Sequence, residues 1–331
     1  MNVALIGAGG IGNTHSNAYL QMPDVKIIAI VDIVEEKADK MAGDHNAKAY
    51  YSVEDMLLNE KPDMVDICVP SYIHKEISIQ CMNAKIHTLC EKPIANDMQS
   101  ALEMVEAAKK NGVLFMVAQV IRFWPEYMAL KKIYDEKTYG KLKHAFFSRM
   151  SQAPEWGSGW YLDPEKSGMA PFELHIHDTD YINYLLGMPK AVKSYGIDDY
   201  STFSSYLKTQ FIYEEDMLIE AEGGWFRSPI NFSMPFRAIF EKAVLEYRDD
   251  KLMLYPDSGE AMQIDTQQSV TVGAGINIKS SGGTFNEIRY FIDCIRTNKP
   301  IKVVPPQDSI KSLQLLLREI ESAKSGNIIQ L

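Results

Sequence analysis

The segment Gly7-Ala8-Gly9-Gly10-Ile11-Gly12 does most to narrow what this chain can fold into. An apolar run ends at Ile6, a helical pattern starts near Ile11, and an acid, Asp32, stands 20 residues after Gly12. Each glycine has a separate duty in such a strand–turn–helix unit. Gly7 permits the tight turn, Gly9 lets a ligand approach the backbone, and Gly12 lets helix and strand pack closely. Free N–H groups and the helix dipole then hold phosphate charge. Asp32, at the end of the second strand, is placed to accept from both hydroxyls of a ribose. The pattern predicts a dinucleotide site at Gly7, Gly9, Gly10, Ile11, Gly12 and Asp32. NAD is favoured over NADP, because a 2′-phosphate would meet the Asp32 charge and the next residue is Ile33 rather than an arginine. A glycine turn without a ligand is the plainer alternative. Strand, helix and acid in register argue against it.

The surrounding rhythm agrees. Val3–Ile6, Val25–Val31, Ala47–Tyr50, Val65–Val69, Ile86–Leu89 and Leu114–Val117 are short and apolar on both faces, as buried parallel strands should be. Helical patterns lie between them at Ile11–Met22, Glu35–Gly43, Val53–Asn59, His74–Ala84 and Met98–Asn111, the last stopped by Gly112. This alternation predicts an N-terminal doubly wound parallel sheet of the Rossmann type over residues 1–121. The rhythm then changes. After a helix at Pro125–Asp135, β character dominates at Leu142–Met150, Val192–Ile197, Tyr206–Ile212, Met217–Gly223, Phe232–Phe240 and Ala243–Tyr247. A buried helix interrupts at Phe172–Leu186, two more close the chain at Phe285–Thr297 and Asp308–Ser322, and Gly273–Gly283 reads as a loop. Residues 122–331 are thus expected to form an α+β domain on a large, mostly antiparallel sheet, for substrate binding and oligomerisation.

With 34 basic and 44 acidic residues the net charge is −10, a poor match for a nucleic-acid backbone. No apolar run is long enough to span a bilayer, and the start of the sequence lacks the pattern of a signal peptide. Cys68, Cys81, Cys90 and Cys294 form no C-x-x-C pair, and three of them sit in apolar runs. No metal site or disulfide is expected, and a reducing cytoplasm is the simplest setting.

Two further segments carry a resemblance. An apolar strand runs into Cys90-Glu91-Lys92-Pro93, and Val69-Pro70-Ser71-Tyr72-Ile73-His74 follows another strand end. Arg122-Phe123-Trp124-Pro125 and the series Gly168…Glu173…His177…Asp180 come after them in order. The set resembles the Gfo/Idh/MocA family of nicotinamide-dependent sugar and polyol oxidoreductases, marked by G-x-G-x-x-G, a Pro-x-x-x-His turn and E-K-P. The chain departs from that pattern in three places. Glu173 stands for the usual Asp, His175 for a small residue, and Gly168-Met169-Ala170 for a Gly-Gly run.

Oxidising a secondary alcohol needs a base for the hydroxyl proton and a donor for the developing oxyanion. The resemblance implies His177 as acid–base, Lys92 as donor to the substrate oxygen and Glu173 as orienter, with a cis Lys92-Pro93 peptide. Glu173 and His177 are four apart, so one helix would carry both on one face, with Asp180 a turn further on. Pro70, His74, Glu91 and Lys92, just past strand ends, extend the cofactor-binding set; His74 either meets the nicotinamide ribose or caps the next helix. Arg122 either anchors a substrate or pairs with an acid. Trp160, near Trp156 and Tyr161, either stacks on a sugar face or joins the core. His175 either lines the pocket or is satisfied in the core. His175 and His177 on a helix point about 200° apart, so a shared metal ion is disfavoured. His15, His45, His87 and His144 are assigned structural places.

These readings predict an NAD-dependent dehydrogenase acting on the CH–OH group of a small polyol, cyclitol or sugar. Two alternatives stand: an NAD-sensing regulator without turnover, which the family includes, and an NAD-assisted glycoside-cleaving enzyme. An uncovered apolar sheet face in the second domain would favour a homodimer or homotetramer.

Overall fold

The computed structural model describes residues 1–155, 157–199, 204–266 and 282–331. The chain forms two compact units, Met1–Phe123 with Gln268–Ile310, and Trp124–Gln267 with Lys311–Leu331.

In the first unit β1 (Asn2–Ile6), β2 (Lys26–Val31), β3 (Lys48–Tyr50), β4 (Met64–Ile67), β5 (His87–Glu91) and β6 (Phe115–Ala118) form a parallel sheet in the order β3-β2-β1-β4-β5-β6. Between the strands lie α1 (Gly10–Tyr19), α2 (Glu35–His45), α3 (Val53–Asn59), α4 (His74–Asn83) and α5 (Met98–Asn111). All four residues of β4 and of β6 are buried, as strands covered on both faces require. Helix α5 stops at Gly112, whose φ of 66° is the left-handed cap the sequence predicts. The strand order reverses between β1 and β4, so the loops after these strands border the crevice where open α/β sheets bind ligands.

The second unit contains α6 (Pro125–Glu136), β7 (Leu142–Gln152), α7 (Pro164–Ser167), a π-helical turn at Pro171–His175, and α8 (Ile176–Leu186). The strands β8 (Ala191–Asp199), β9 (Ser204–Ile212), β10 (Leu218–Phe226), β11 (Phe236–Phe240), β12 (Ala243–Arg248), β13 (Lys251–Pro256), β14 (Met262–Ile264) and β15 (Ile329–Gln330) complete it. Among the described residues the sheet has nine strands, in the order β14-β13-β12-β11-β7-β10-β9-β8-β15. Only the central β7–β10 pair is parallel there, so the mostly antiparallel sheet is as expected. Tyr127, Phe147, Tyr181 and Phe236 form its aromatic core, with Tyr127 and Tyr181 edge-to-face at 4.8 Å. Buried Arg149 donates to both oxygens of Asp178, at 2.9 and 3.0 Å, and to the Tyr127 hydroxyl at 3.1 Å.

Three differences from the sequence reading have physical causes. The predicted strand Phe232–Phe240 begins only at Phe236: Pro235 has no N–H for a ladder, and a single bridge joins Ser233 to Met150. Strands β13, β14 and β15 have no counterpart in that reading; the last two are three and two residues long, too short for a periodicity. Last, of the tail only Lys311–Leu331 stays with the second unit. Helix α9 (Gly282–Thr297) belongs to the first unit, where Ile288, Phe291 and Ile292 join Val3, Leu5 and Ile30 in one apolar cluster. Its apolar stripe needed a partner, and the parallel sheet supplied one. Within the predicted loop Gly273–Gly283, residues 273–281 lie outside the described residues, as does Trp156. The closing helix α10 (Pro306–Ser325) ends the helical series. No described helix is long and apolar enough to cross a membrane.

Candidate active site

The glycine loop after β1 shows why each glycine is there. Gly7 has φ +102°, and a Cβ on it would lie 2.4 Å from the Cys68 carbonyl oxygen. A Cβ on Gly12 would lie 1.9 Å from the Gly7 oxygen, whereas one on Gly9 would meet no protein atom within 4 Å. The first and third glycines therefore serve the fold, and the middle one leaves open space. Gly9 caps α1 without any side-chain hydrogen bond, so the helix's first N–H groups keep their capacity for an anion. Asp32 is fixed from two sides: its Oδ2 accepts from Ala8 N at 2.7 Å and its Oδ1 from Val34 N at 2.8 Å. Each oxygen retains a lone pair for a ribose hydroxyl. A cleft of about 220 Å³ opens here, lined by Gly9, Gly10 and Asn13, with Lys37 and Lys40 from α2. Open backbone, helix N-terminus and acid together fit a dinucleotide.

The next rim lies after β4 and β5. The Lys92-Pro93 peptide is cis, as the resemblance implies, and Lys92 is half-buried. Contacts at both ring nitrogens of His74 correct its expected role. Its Nδ1 lies 2.8 Å from the Pro93 carbonyl and its Nε2 2.9 Å from that of Val69, and the residue is 1% exposed. It ties the loop after β4 to the cis-proline loop rather than offering a nitrogen to a ribose. Pro70 heads the 3-10 turn Ser71–Ile73 in the same loop. Glu91 accepts from the Lys92 N–H through Oε2 and faces His15 through Oε1 at 3.1 Å.

Sequence reasoning assigns His15 a merely structural place. The structure makes it the hub of a polar cluster with the buried Asp66 and Tyr19 and the half-buried Glu91. A signal was available: Asp66 stands inside the apolar strand Met64–Ile67, and a buried acid needs partners. The other histidines have smaller structural contacts, His45 with Ser16 and His87 with the Leu114 N–H.

In the second unit the unbroken helix expected over Phe172–Leu186 opens into the π-turn Pro171–His175, followed by α8. Such turns cluster at functional sites. Its wider winding alters the simple i, i+4 register of Glu173 and His177. Glu173 is 8% exposed, while His177 is half-buried. Gly168 has φ +67° and Met169 φ +61°, so Met169 adopts the left-handed backbone that the family's second glycine would take freely. Gly223 makes room for the turn: a Cβ there would come within 2.8 Å of the His175 Cβ. Asp180 accepts from the Ser312 hydroxyl at 2.7 Å, so that carboxylate oxygen is committed to α10.

Two more expectations are corrected. His175 is fully buried, with Nε2 at 2.7 Å from Glu319, whose other oxygen accepts from Thr179. It is a core histidine, because a side chain closed in by β10 and α10 has no path to a substrate. Arg122 is 2% exposed and donates to the Val303 carbonyl at 2.6 Å and to Asp308 at 3.3 Å. Its charge is spent inside the first unit, where an unpaired guanidinium would be costly. Trp160 is half-buried and stacks on Tyr161 with centroids 3.9 Å apart.

Comparison with known proteins agrees with this architecture. Residues 1–119 match a family profile described as an oxidoreductase family with an NAD-binding Rossmann fold, and residues 127–230 match the GFO/IDH/MocA C-terminal domain. A scyllo-inositol 2-dehydrogenase (NADP(+)) of Bacillus subtilis is 28% identical over 302 residues, covering 85% of this chain and 91% of that protein. A myo-inositol 2-dehydrogenase of Thermotoga maritima is 29% identical over 189 residues, covering 56% of this chain and 55% of its own length. Over much of the set of relatives, then, the match spans about half of each protein. The structure of a levoglucosan dehydrogenase in complex with NADH and levoglucosan superposes with a TM-score of 0.86, covering 100% of this chain and 99% of that one, at 20% identity. That likeness is one of fold. With both profiles matched in order, and with the glycine loop, the cis-proline turn and the nine-stranded sheet of the described residues in place, the chain belongs to the GFO/IDH/MocA family of oxidoreductases.

Proposed function

We propose that this protein is an NAD-dependent dehydrogenase that interconverts a secondary alcohol of a polyol, cyclitol or sugar with its ketone. The observation that carries the reading is the anchored Asp32 beside the open Gly9 backbone at the β1–β4 crevice. A fixed carboxylate there recognises a ribose diol and repels a 2′-phosphate. Because one relative uses NADP and Lys37 and Lys40 line the adjoining cleft, both cofactors belong in the assay.

When bound, the dinucleotide supplies the hydride acceptor. The chain's own groups do the rest. Lys92 donates a hydrogen bond to the alcohol oxygen, stabilising it as negative charge develops. His177 takes the hydroxyl proton and returns it in the reverse direction. Glu173 orients this set, and Trp160 offers an aromatic face to the sugar ring. A homodimer or homotetramer through the open face of the second unit's sheet goes with this reading, since Phe146, Ile239 and Met253 are half-exposed there. The four cysteines are buried free thiols, in keeping with a reducing cytoplasm.

The test is a screen of cyclitols, polyols and sugars with NAD and NADP, followed at 340 nm in both directions. Reduction with a member of these classes supports the reading. Tight binding of dinucleotide with no turnover in either direction refutes it and favours a sensor.

A further inference from the structure

We propose that His15 is a positioning residue for Lys92: clamped between two carboxylates, it holds Glu91, whose second oxygen pins the Lys92 peptide. This rests on the catalytic role proposed for Lys92.

The geometry fixes the protonation of the ring. His15 Nδ1 lies 2.8 Å from Asp66 Oδ2, and Nε2 lies 3.1 Å from Glu91 Oε1. Ionised carboxylates only accept, and a neutral imidazole has one N–H. Holding both therefore takes an imidazolium. Burial, the largest single influence, opposes that charge, but Asp66 and Cys68 together outweigh it and keep His15 well above the usual histidine range. Burial likewise pushes Glu91 up. The hydrogen bond and charge of His15, with smaller contributions from Lys92 and His74, bring it below the ordinary carboxylate range.

The clamp is itself braced. Asp66 Oδ2 also accepts from the Tyr19 hydroxyl at 2.9 Å, and Oδ1 from the Cys68 thiol at 3.6 Å. His15, Asp66 and Cys68 place ligand atoms within 4.8 Å of one another, a spacing a metal could use. Burial drives the Cys68 thiol far up, and the thiol donates to Asp66.

The contacts thus run from His15 of α1, braced by Asp66 of β4, to Glu91 at the end of β5 and on to Lys92. Glu91 Oε2 accepts from the Lys92 N–H at 3.0 Å and sets the peptide from which the Lys92 side chain departs. Without His15, the half-buried Glu91 charge turns to Lys92 for compensation and draws the ammonium from the substrate oxygen.

The experiment compares wild type with His15→Leu, Glu91→Gln, the double variant and Lys92→Ala. Two readouts are taken: hydrogen exchange of the segment 89–95, and kcat with dinucleotide affinity on an alcohol that turns over. We expect faster exchange at Lys92 in His15→Leu and a kcat lower by about 10–100-fold, the scale on which supporting residues act, with dinucleotide affinity within about threefold. In the double variant the amide at position 91 carries no charge, and its carbonyl still accepts the Lys92 N–H, so exchange and kcat return toward those of Glu91→Gln. A merely structural histidine predicts the reverse, with the double variant at least as impaired as His15→Leu. Unchanged exchange in His15→Leu, or no recovery in the double variant, overturns the proposal. The exchange readout needs no turnover, so it decides even where no alcohol is oxidised. If Lys92→Ala keeps its kcat, the catalytic assignment fails, and exchange still judges the network.

Discussion

Alanine at Gly9 and at Gly12 should separate function from folding three residues apart. At Gly12 the added Cβ would sit 1.9 Å from the Gly7 oxygen, about 1.5 Å short of the 3.4 Å at which ordinary contact begins. The obstacle is backbone, which cannot rotate away. Overpacking costs about 1–3 kcal/mol where side chains can adjust, so this site belongs at about 3 kcal/mol or above. For a unit of this size each kcal/mol lowers the Tm by about 2–4 °C, giving a fall of about 6–12 °C. At Gly9 the Cβ meets no protein atom within 4 Å, and φ −78°, ψ −164° is ordinary extended backbone. Losing a good helix cap and stiffening the unfolded chain each shift stability by about 0.5–1 kcal/mol in opposite directions. The Tm should therefore stay within about 3 °C. The methyl would instead occupy the space through which a phosphate reaches the helix N-terminus. Losing one charge-assisted hydrogen bond there, about 1.5–3 kcal/mol, weakens NADH binding by about 10–100-fold. Thermal unfolding by circular dichroism and NADH titration by fluorescence measure the two effects. Equal destabilisation by both alanines, or wild-type NADH affinity in Gly9→Ala, would refute the reasoning.

Asp32→Ala should weaken NAD binding and narrow the gap to NADP; a wild-type protein that binds NADP more tightly than NAD in the same titrations contradicts the assignment. Lys92→Ala and His177→Ala should each lower kcat by about 10²–10⁴-fold with little change in NAD affinity, and Glu173→Gln should cost less. Steady-state kinetics beside dinucleotide titration show whether the losses fall on turnover as expected. For pH, the raised His15 contributes stability in full below its unfolded value of 6.5 and loses it as pH rises toward the folded value. The lowered Glu91 contributes in full above 4.5 and loses it as pH falls through its folded value. Stability from this pair is therefore greatest between those two values. The fall in Tm from about pH 6.5 to 9 should be shallower in His15→Leu, and parallel slopes in the two proteins count against an imidazolium.

Local chemistry was legible along the chain because each signal needs only its neighbours. Strand–helix alternation, the three glycines with Asp32, and the Gly112 stop all rest on spacings within about 30 residues, and each of these features is found near its expected place. The cis Lys92-Pro93 peptide was legible only through the family pattern.

The fate of each polar residue was decided by elements far away in sequence. Arg122 reads equally well as a substrate anchor or a structural ion, until Val303 and Asp308 arrive and take its charge. His175 is settled by Glu319 and by the missing side chain of Gly223. His15 becomes an imidazolium because β4 brings Asp66 to one nitrogen and β5 brings Glu91 to the other. The π-turn at Pro171–His175 forms where β10 leaves space, and α9 joins the first unit because the apolar cluster there has room for Ile288 and Phe291. The sequence by itself thus determined which elements form and which groups could do chemistry. Tertiary structure decided which of those groups are consumed, since burying a charge or a donor costs free energy until a partner, wherever it lies in the chain, comes within hydrogen-bond reach.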